Sequence, residues 1–200
     1  MPRTSRTLAR ALRRSSRGQG QPKDAGAAAV EFALVLPILI LILFGIIDYG
    51  LYFANALDAR SGTQEATREA VVANFGSCTP PTKFDVTPSD DIAHVMCSVK
   101  DRTNALTGTS YVKVILPVDD AHPGGGWIVG QPLVVCQIVV VSGLTGFVPL
   151  PGNGFTPGQG VLHVKVVMQI EQPSTDPNEK GGAEDLPGGL NWKNEKWCGR

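Results

Sequence analysis

Glu31 is the residue in this sequence whose type and place most demand a chemical explanation. It stands near the start of an apolar run, and from Phe32 to Ile47 no residue is charged or strongly polar. Asp48 then closes the run. A carboxylate at a bilayer centre costs roughly 2.5–3.5 kcal/mol on insertion scales, and less near an interface. Glu31 is therefore either an interfacial residue of a plain anchor or a carboxylate with a function.

The four cysteines come next. Cys78, Cys97, Cys136 and Cys198 all follow the apolar run, which fits an oxidising exterior. Four cysteines allow three pairings. Pairing Cys78 with Cys97 and Cys136 with Cys198 is favoured, and closing a short loop contributes about 3 kcal/mol in the chain-entropy model. The alternative for Cys136, set in an apolar strand, is a buried free thiol.

Other side chains form no catalytic pattern. His94, His122 and His163 are far apart and read as surface or strand residues. Asp90-Asp91 and Asp119-Asp120 lack the alternating oxygen ligands of a calcium loop. His122-Pro123-Gly124-Gly125-Gly126 has the look of an oxyanion-hole loop, but no nucleophile elbow accompanies it. A phosphate loop, a paired CxxC, HExxH and GxSxG are all missing from the sequence. We expect no catalysis, no cofactor and no metal.

These residues need an anchor and a domain to position them. The chain has 200 residues, with 18 basic and 18 acidic side chains. The balance hides an asymmetry. Arg3, Arg6, Arg10, Arg13, Arg14, Arg17 and Lys23 precede the apolar run, against Asp24 alone. A basic head resists translocation, so the N-terminus is expected in the cytoplasm and the rest outside. A nucleic-acid-binding tail is the rival explanation, but the apolar neighbour already accounts for the charges. Arg13-Arg14 lacks the apolar residues that follow a twin-arginine signal.

Residues 1–26 read as a basic cytoplasmic leader and 27–53 as a transmembrane helix. Glu31 and Asp48 are 17 residues apart, about 26 Å at helical rise, close to the ~30 Å hydrocarbon thickness. Tyr49, Tyr52 and Phe53 suit the outer interface. Pro37 removes one helical hydrogen bond and is a place for a kink. Ala27, Ala28, Ala29, Ala33 and Gly45 are small enough for close helix approach in lipid. Residues 54–76 extend the helix, with Leu51, Ala54, Leu57 and Ser61 near one face. Ala66, Ala70 and Ala73 continue a stripe of small residues, and Gly76 is the expected cap. The whole helix would be about 70 Å long.

Residues 77–172 read as an external β-rich domain. Strands are expected at Tyr111–Leu116, Pro132–Val141 and Val161–Glu171, with a short one at Trp127–Val129. A local helix is expected over Asp90–Leu106, capped by Ser89. Residues 173–200 form a Pro/Gly-rich tail in which only Trp192, Trp197 and Cys198 give reason to dock. The fold class is α+β: a long N-terminal transmembrane helix joined to a small antiparallel β domain.

The stretch Gly26-Ala27-Ala28-Ala29-Val30-Glu31-Phe32-Ala33-Leu34-Val35-Leu36-Pro37 resembles the opening of the TadE-like family. These are small membrane proteins of bacterial tight-adherence (Flp-type) pilus machines. Ile46-Ile47-Asp48-Tyr49-Gly50 and Gln64-Glu65-Ala66-Thr67-Arg68-Glu69-Ala70 are similar to the segments that follow in that family. The resemblance weakens in the β region, which ends Met168-Gln169-Ile170-Glu171. It implies a prepilin-peptidase site between Gly26 and Ala27, with Glu31 fifth and Phe32 sixth in the mature chain. The new α-amino group would be positively charged near neutral pH and could pair with Glu31 of the same or a neighbouring subunit.

The resemblance also implies the partners: membrane lipid, other pilin-like subunits and pilus assembly machinery, and prepilin peptidase if the leader is cut. Nucleic acid is not expected. Two rivals stand beside this. One is a secreted soluble protein with an export signal cut after Ala54-Asn55-Ala56. The other is a membrane-anchored domain that binds a small ligand.

Overall fold

The computed structural model describes residues 25–103, 108–118, 125–146, 148–152, 158–174, 176, 178–187, 190, 192 and 196–198. The leader up to residue 24 lies outside the described residues. So do Asp119, Asp120, His122, Pro123 and Gly124.

The chain divides into two units, Met1–Ile42 and Leu43–Arg200. Helix α1, Ala25–Val71, supplies residues to both. The second unit is α+β. After α1 come β1 (Phe84–Val86), α2 (Asp90–Arg102), β2 (Gly108–Ile115), β3 (Pro132–Ser142), β4 (Gln159–Gln169), β5 (Gly182–Glu184) and a final 3₁₀ turn at Lys196–Cys198. The strands form one sheet in the order β1-β5-β2-β3-β4, with every pairing antiparallel.

Side chains alternate across this sheet. Val112, Val114, Leu133, Val135, Val139, Val141, Leu162, Val164 and Val166 pack with buried residues of α1 and α2. Val134, Cys136, Ile138 and Val161 point to the other face, where Ala183, Trp192 and Cys198 from the tail cover them. β3 is thus buried on both sides. That is why its sequence reads as a continuous apolar run rather than an alternating one.

Gln137 is the polar exception, fully buried in the middle of β3. Its Oε1 lies 2.7 Å from Thr63 Oγ1 on α1, and its Nε2 donates to Thr103 Oγ1, 2.9 Å away, just past α2. Thr103 in turn donates to Val99 O at 2.8 Å. A buried amide is tolerated only when its groups are paired. Among the described residues no buried side-chain nitrogen or oxygen lacks a partner.

α1 ends at Val71, five residues before the expected cap at Gly76. Ala73 takes the left-handed conformation (φ 57°). Asn74 N donates to Glu69 O and Ala73 N to Ala70 O, at 3.1 and 2.8 Å. This is a Schellman closure with Ala where Gly is usual. Val71 O then accepts from both Glu171 N and Gln172 N at 2.9 and 3.1 Å. The end of the helix is tied to the end of β4.

Three core strands form where the sequence expects them; α2 starts at Asp90 as expected but ends at Arg102, and residues 104–106 of the expected helix lie outside the described residues. Trp127–Val129 does not form a strand. Trp127 is instead a buried plug, stacked edge-on against Phe75 and donating from Nε1 to Gln172 O at 2.7 Å. Ser89 starts α2 but makes no side-chain cap bond; its hydroxyl donates to Glu179, and it accepts from Lys180 N.

The tail is more than a docked Trp pair. β5 sits between β1 and β2, and Glu184 is buried, accepting from Lys100 Nζ at 2.7 Å and Val112 N at 2.8 Å. Trp192 Nε1 donates to Glu184 O at 2.7 Å. Cys136–Cys198 fastens the tail to β3, and Cys78–Cys97 fastens the segment after α1 to α2. The Cα–Cα distances are 5.9 and 6.0 Å, within the usual disulfide range. These are the two pairs favoured from the sequence.

Two tests follow from this packing. A Cβ on Gly62 of α1 would lie 2.7 Å from Arg102 O. Helix propensity alone makes Gly62→Ala stabilising by about 1 kcal/mol, whereas the close approach makes it destabilising by about 1–3 kcal/mol. Thermal unfolding in detergent should show the loss.

Glu179 supplies the second test. It is 1% exposed. Burial pushes its carboxyl from the ordinary 4.5 up to about 7. The Asp91 hydrogen bond and the charges of Asp91 and Asp176 push the same way, and the Ser89 bond opposes them. Below pH 4.5 both states carry the proton. Between 4.5 and 7 the unfolded chain ionises while the folded chain keeps its proton, so stability falls as pH rises through that window and stays lower above it. Glu179→Gln should flatten this fall in pH-dependent denaturant titrations.

Candidate membrane-anchoring site

The N-terminal candidates all lie on α1. Gly26 is its second residue, so the helix begins before Ala27 rather than at it. Gly26, Ala27, Ala28, Ala29, Glu31, Phe32 and Ala33 are exposed. Ala27 and Glu31 are one helical turn apart, a spacing that puts them on one face. Glu31 is thus near enough for an amino group on Ala27 to reach it. The helix continues through Pro37. A Cβ added at Gly26 or Gly45 would meet nothing within 4 Å. No contact among the described residues therefore calls for glycine at either position.

α1 is long and apolar enough to cross a membrane. Its most apolar 18-residue window has a mean hydropathy of 2.9, and none of that window is buried in the protein. Phe32, Leu34, Ile38, Leu41 and Ile46 are 61–71% exposed. Exposure of this kind over consecutive turns is not a patch left at the rim of a water-soluble domain. It is the surface of a helix that could span a membrane.

The character of α1 changes at Asp48, which is only 1% exposed. Its Oδ1 accepts from Leu144 N at 3.0 Å and its Oδ2 from the Thr145 hydroxyl. Tyr49 OH donates to Pro149 O at 3.1 Å. Tyr52 packs with Val139, Val141 and Leu150. From there the buried positions run Asp48, Tyr52, Asn55, Ala59, Gly62, Thr63, Ala66, Thr67, Ala70 and Val71. They recur every three or four residues, as one helix face does.

This face is small and polar rather than apolar. Sequence reasoning found Ala66 and Ala70 but missed Asp48, Asn55, Thr63 and Thr67, which look like surface residues. It also placed Leu57 and Ser61 near a packing face, and both are exposed, Leu57 by 68%. The available signal was the spacing of small side chains, with Gly62 among them. Phe53, Ala56, Leu57 and Arg60 line a shallow groove of about 310 Å³ with Leu162, His163 and Val164 of β4.

His163 stacks on Trp197 with ring centroids 4.8 Å apart, and His94 Nδ1 lies 2.8 Å from Cys78 O. Among the described residues no three His, Cys, Asp or Glu side chains gather as a metal site. A chain starting at Leu57 would lack Asp48, Tyr52 and Asn55, all buried here. That counts against an export signal cut after Ala56.

Residues 26–71 match the family model described as TadE-like protein. The match covers the apolar run, Asp48 and the buried face of α1, and stops where α1 stops. No curated protein and no solved structure gives a significant match. The match and the candidate membrane helix together support a pilus-associated membrane protein.

The Asp48 contacts are testable. Asp48→Ala removes the acceptor of Leu144 N and the Asp48 bond of Thr145, at a cost of about 1–3 kcal/mol. Amide exchange at Leu144 should accelerate by about tenfold or more. Asp48→Asn keeps one acceptor oxygen and should lose less. Unchanged exchange in Asp48→Ala would mean that the carboxylate does not hold the loop.

Proposed function

We propose that this chain is a TadE-like, minor pilin-like subunit or assembly factor of a tight-adherence pilus or related secretion machine. Residues 27–53 anchor it in the bacterial cytoplasmic membrane. The basic leader stays in the cytoplasm and the β unit lies outside. It does no chemistry of its own; its partners are lipid, other pilin-like subunits and the assembly machinery.

The observation that carries this reading is the family match over residues 26–71, which includes Gly26, Glu31 and the whole apolar run. Three physical features agree with it. The apolar surface of α1 needs lipid. Two disulfides fit an oxidising compartment. Seven basic residues against one acidic residue precede the apolar run, whereas the chain after it is net acidic.

Within this reading Gly26-Ala27 is the peptide bond that prepilin peptidase cuts. Small residues at Ala27, Ala28 and Ala29 let the backbone enter a protease site. The freed amino group and Glu31 offset each other's cost in the membrane. Ala33 and Gly45 leave room for a neighbouring helix.

Intact mass and N-terminal sequencing of the protein from native membranes should find a chain beginning at Ala27. Gly26→Leu should then accumulate the uncut form. A chain beginning at Met1 would leave an uncut anchor, and a chain beginning at Leu57 in the medium would overturn the membrane reading altogether.

A further inference from the structure

The apolar run of α1 ends at Ile47, and its last five residues, Leu43–Ile47, belong to the same unit as the sheet. The next two residues hold the loop between β3 and β4. Asp48 binds Leu144 N and Thr145, on the side of the loop that leaves β3. Tyr49 OH binds Pro149 O further along. A Cβ on Gly143 would sit 3.4 Å from Asp48 Oδ2, so the loop backbone runs against the helix.

The sheet then extends alongside the rest of α1. From Asp48 to Val71 is 23 residues, about 35 Å of helix. β3 has 11 residues, about 37 Å of strand. Val71 O meets Glu171 N at the far end, where Gly130 N also bonds Ile170 O. The start of the β3–β4 loop, at Gly143–Thr145, therefore lies at the end of the unit where the apolar run leaves it. The turn at Val129-Gly130 lies at the opposite end.

The loop has the chemistry of an interface. Between Ser142 and His163 the sequence has no Asp, Glu, Lys or Arg, in a chain with 36 such residues. Leu144 is 67% exposed although its amide is bound to Asp48. A lone exposed leucine is ordinary on a water-facing surface; here it stands in an uncharged stretch beside the end of the apolar run. At the membrane surface the same leucine is buried in acyl chains. The carboxylate of Asp48, meanwhile, is satisfied by the loop and does not need headgroup water.

We infer that the start of the β3–β4 loop, at Leu144, is a second membrane contact, seated in the outer lipid interface beside the end of the apolar run. The partner is the bilayer itself. The β unit is then held on the membrane by one edge as well as by its helix, with the Val129 end pointing away. This rests on the reading of α1 as a membrane helix.

Site-specific photocrosslinking separates the two. A benzophenone amino acid replaces Leu144, Ile46 or Val129, one at a time, in the full chain reconstituted in phosphatidylethanolamine–phosphatidylglycerol vesicles. All three side chains are more than half exposed, so folding should survive each change. Lipid adducts, read by mass, should form at position 144 at a yield like that at 46. They should exceed those at 129 by at least about tenfold, the preference expected for a large apolar side chain taken out of water. Adducts at 46 but only the level of 129 at 144 would overturn the loop contact. A protein–protein adduct at 144 would overturn it too, making the loop a subunit interface. Absence of lipid adducts at 46 would instead sink the membrane helix.

Discussion

Helix α1 carries two kinds of surface, and Asp48 is where one gives way to the other. Before it, α1 presents large apolar side chains all round. After it, the helix buries a narrow face of Asp, Asn, Thr, Ala and Gly against a sheet. A carboxylate at that junction could not be left to lipid, since its desolvation is costly. Here the loop after β3 supplies a backbone amide and a hydroxyl to it. The interaction does two jobs: it satisfies the charge, and it fixes where along the helix the β unit begins.

The rest of the unit follows from that register. Small residues at Ala59, Gly62, Ala66 and Ala70 bring the helix backbone close to α2 and the sheet. Gly62 is near enough to Arg102 O that no side chain fits. Close approach leaves little apolar area to bury, so specificity comes from polar pairs. Thr63, Gln137 and Thr103 join α1, β3 and the end of α2 through buried hydrogen bonds. Such bonds add modestly to stability but heavily penalise misregistration, because each partner left alone costs more than the bond gains. The exposed ion pairs of Arg102 with Glu65 and Glu69 add little beyond this.

How much of this was legible depended on whether a signal was local. The apolar run, the three long strands and α2 were readable because each carries its own periodicity or composition. The disulfide pairs were favoured correctly from four cysteines. β1 and β5 have three residues each, too short for any period. β5 is in the sheet only because the tail returns to it, held by Cys198, Trp192 and Glu184. The helix end was misplaced because Ala73, not a glycine, adopts the left-handed turn. Asp48 reads from the sequence as an interfacial residue closing the apolar run, and Thr63 and Thr67 carry no sequence signal of burial, because polarity usually marks exposure. Asp48 and Thr63 are buried with partners far along the chain, at Leu144 and Gln137, while Thr67 bonds back to Thr63 O one turn earlier. Of the N-terminal candidates, the structure shows Gly26, Ala27, Glu31 and Phe32 on one exposed helical stretch; their chemistry comes from the family resemblance, not from any contact within the chain.

The central claim is that α1 crosses a membrane and carries the β unit outside it. Carbonate extraction of native membranes, followed by protease treatment of intact spheroplasts, addresses both halves at once. The account predicts that the protein stays in the membrane pellet, that external protease removes the β unit, and that an epitope placed before Ala25 of an uncut variant is protected. Release of the chain by carbonate, or a β unit that resists protease until the membrane is broken, would contradict it.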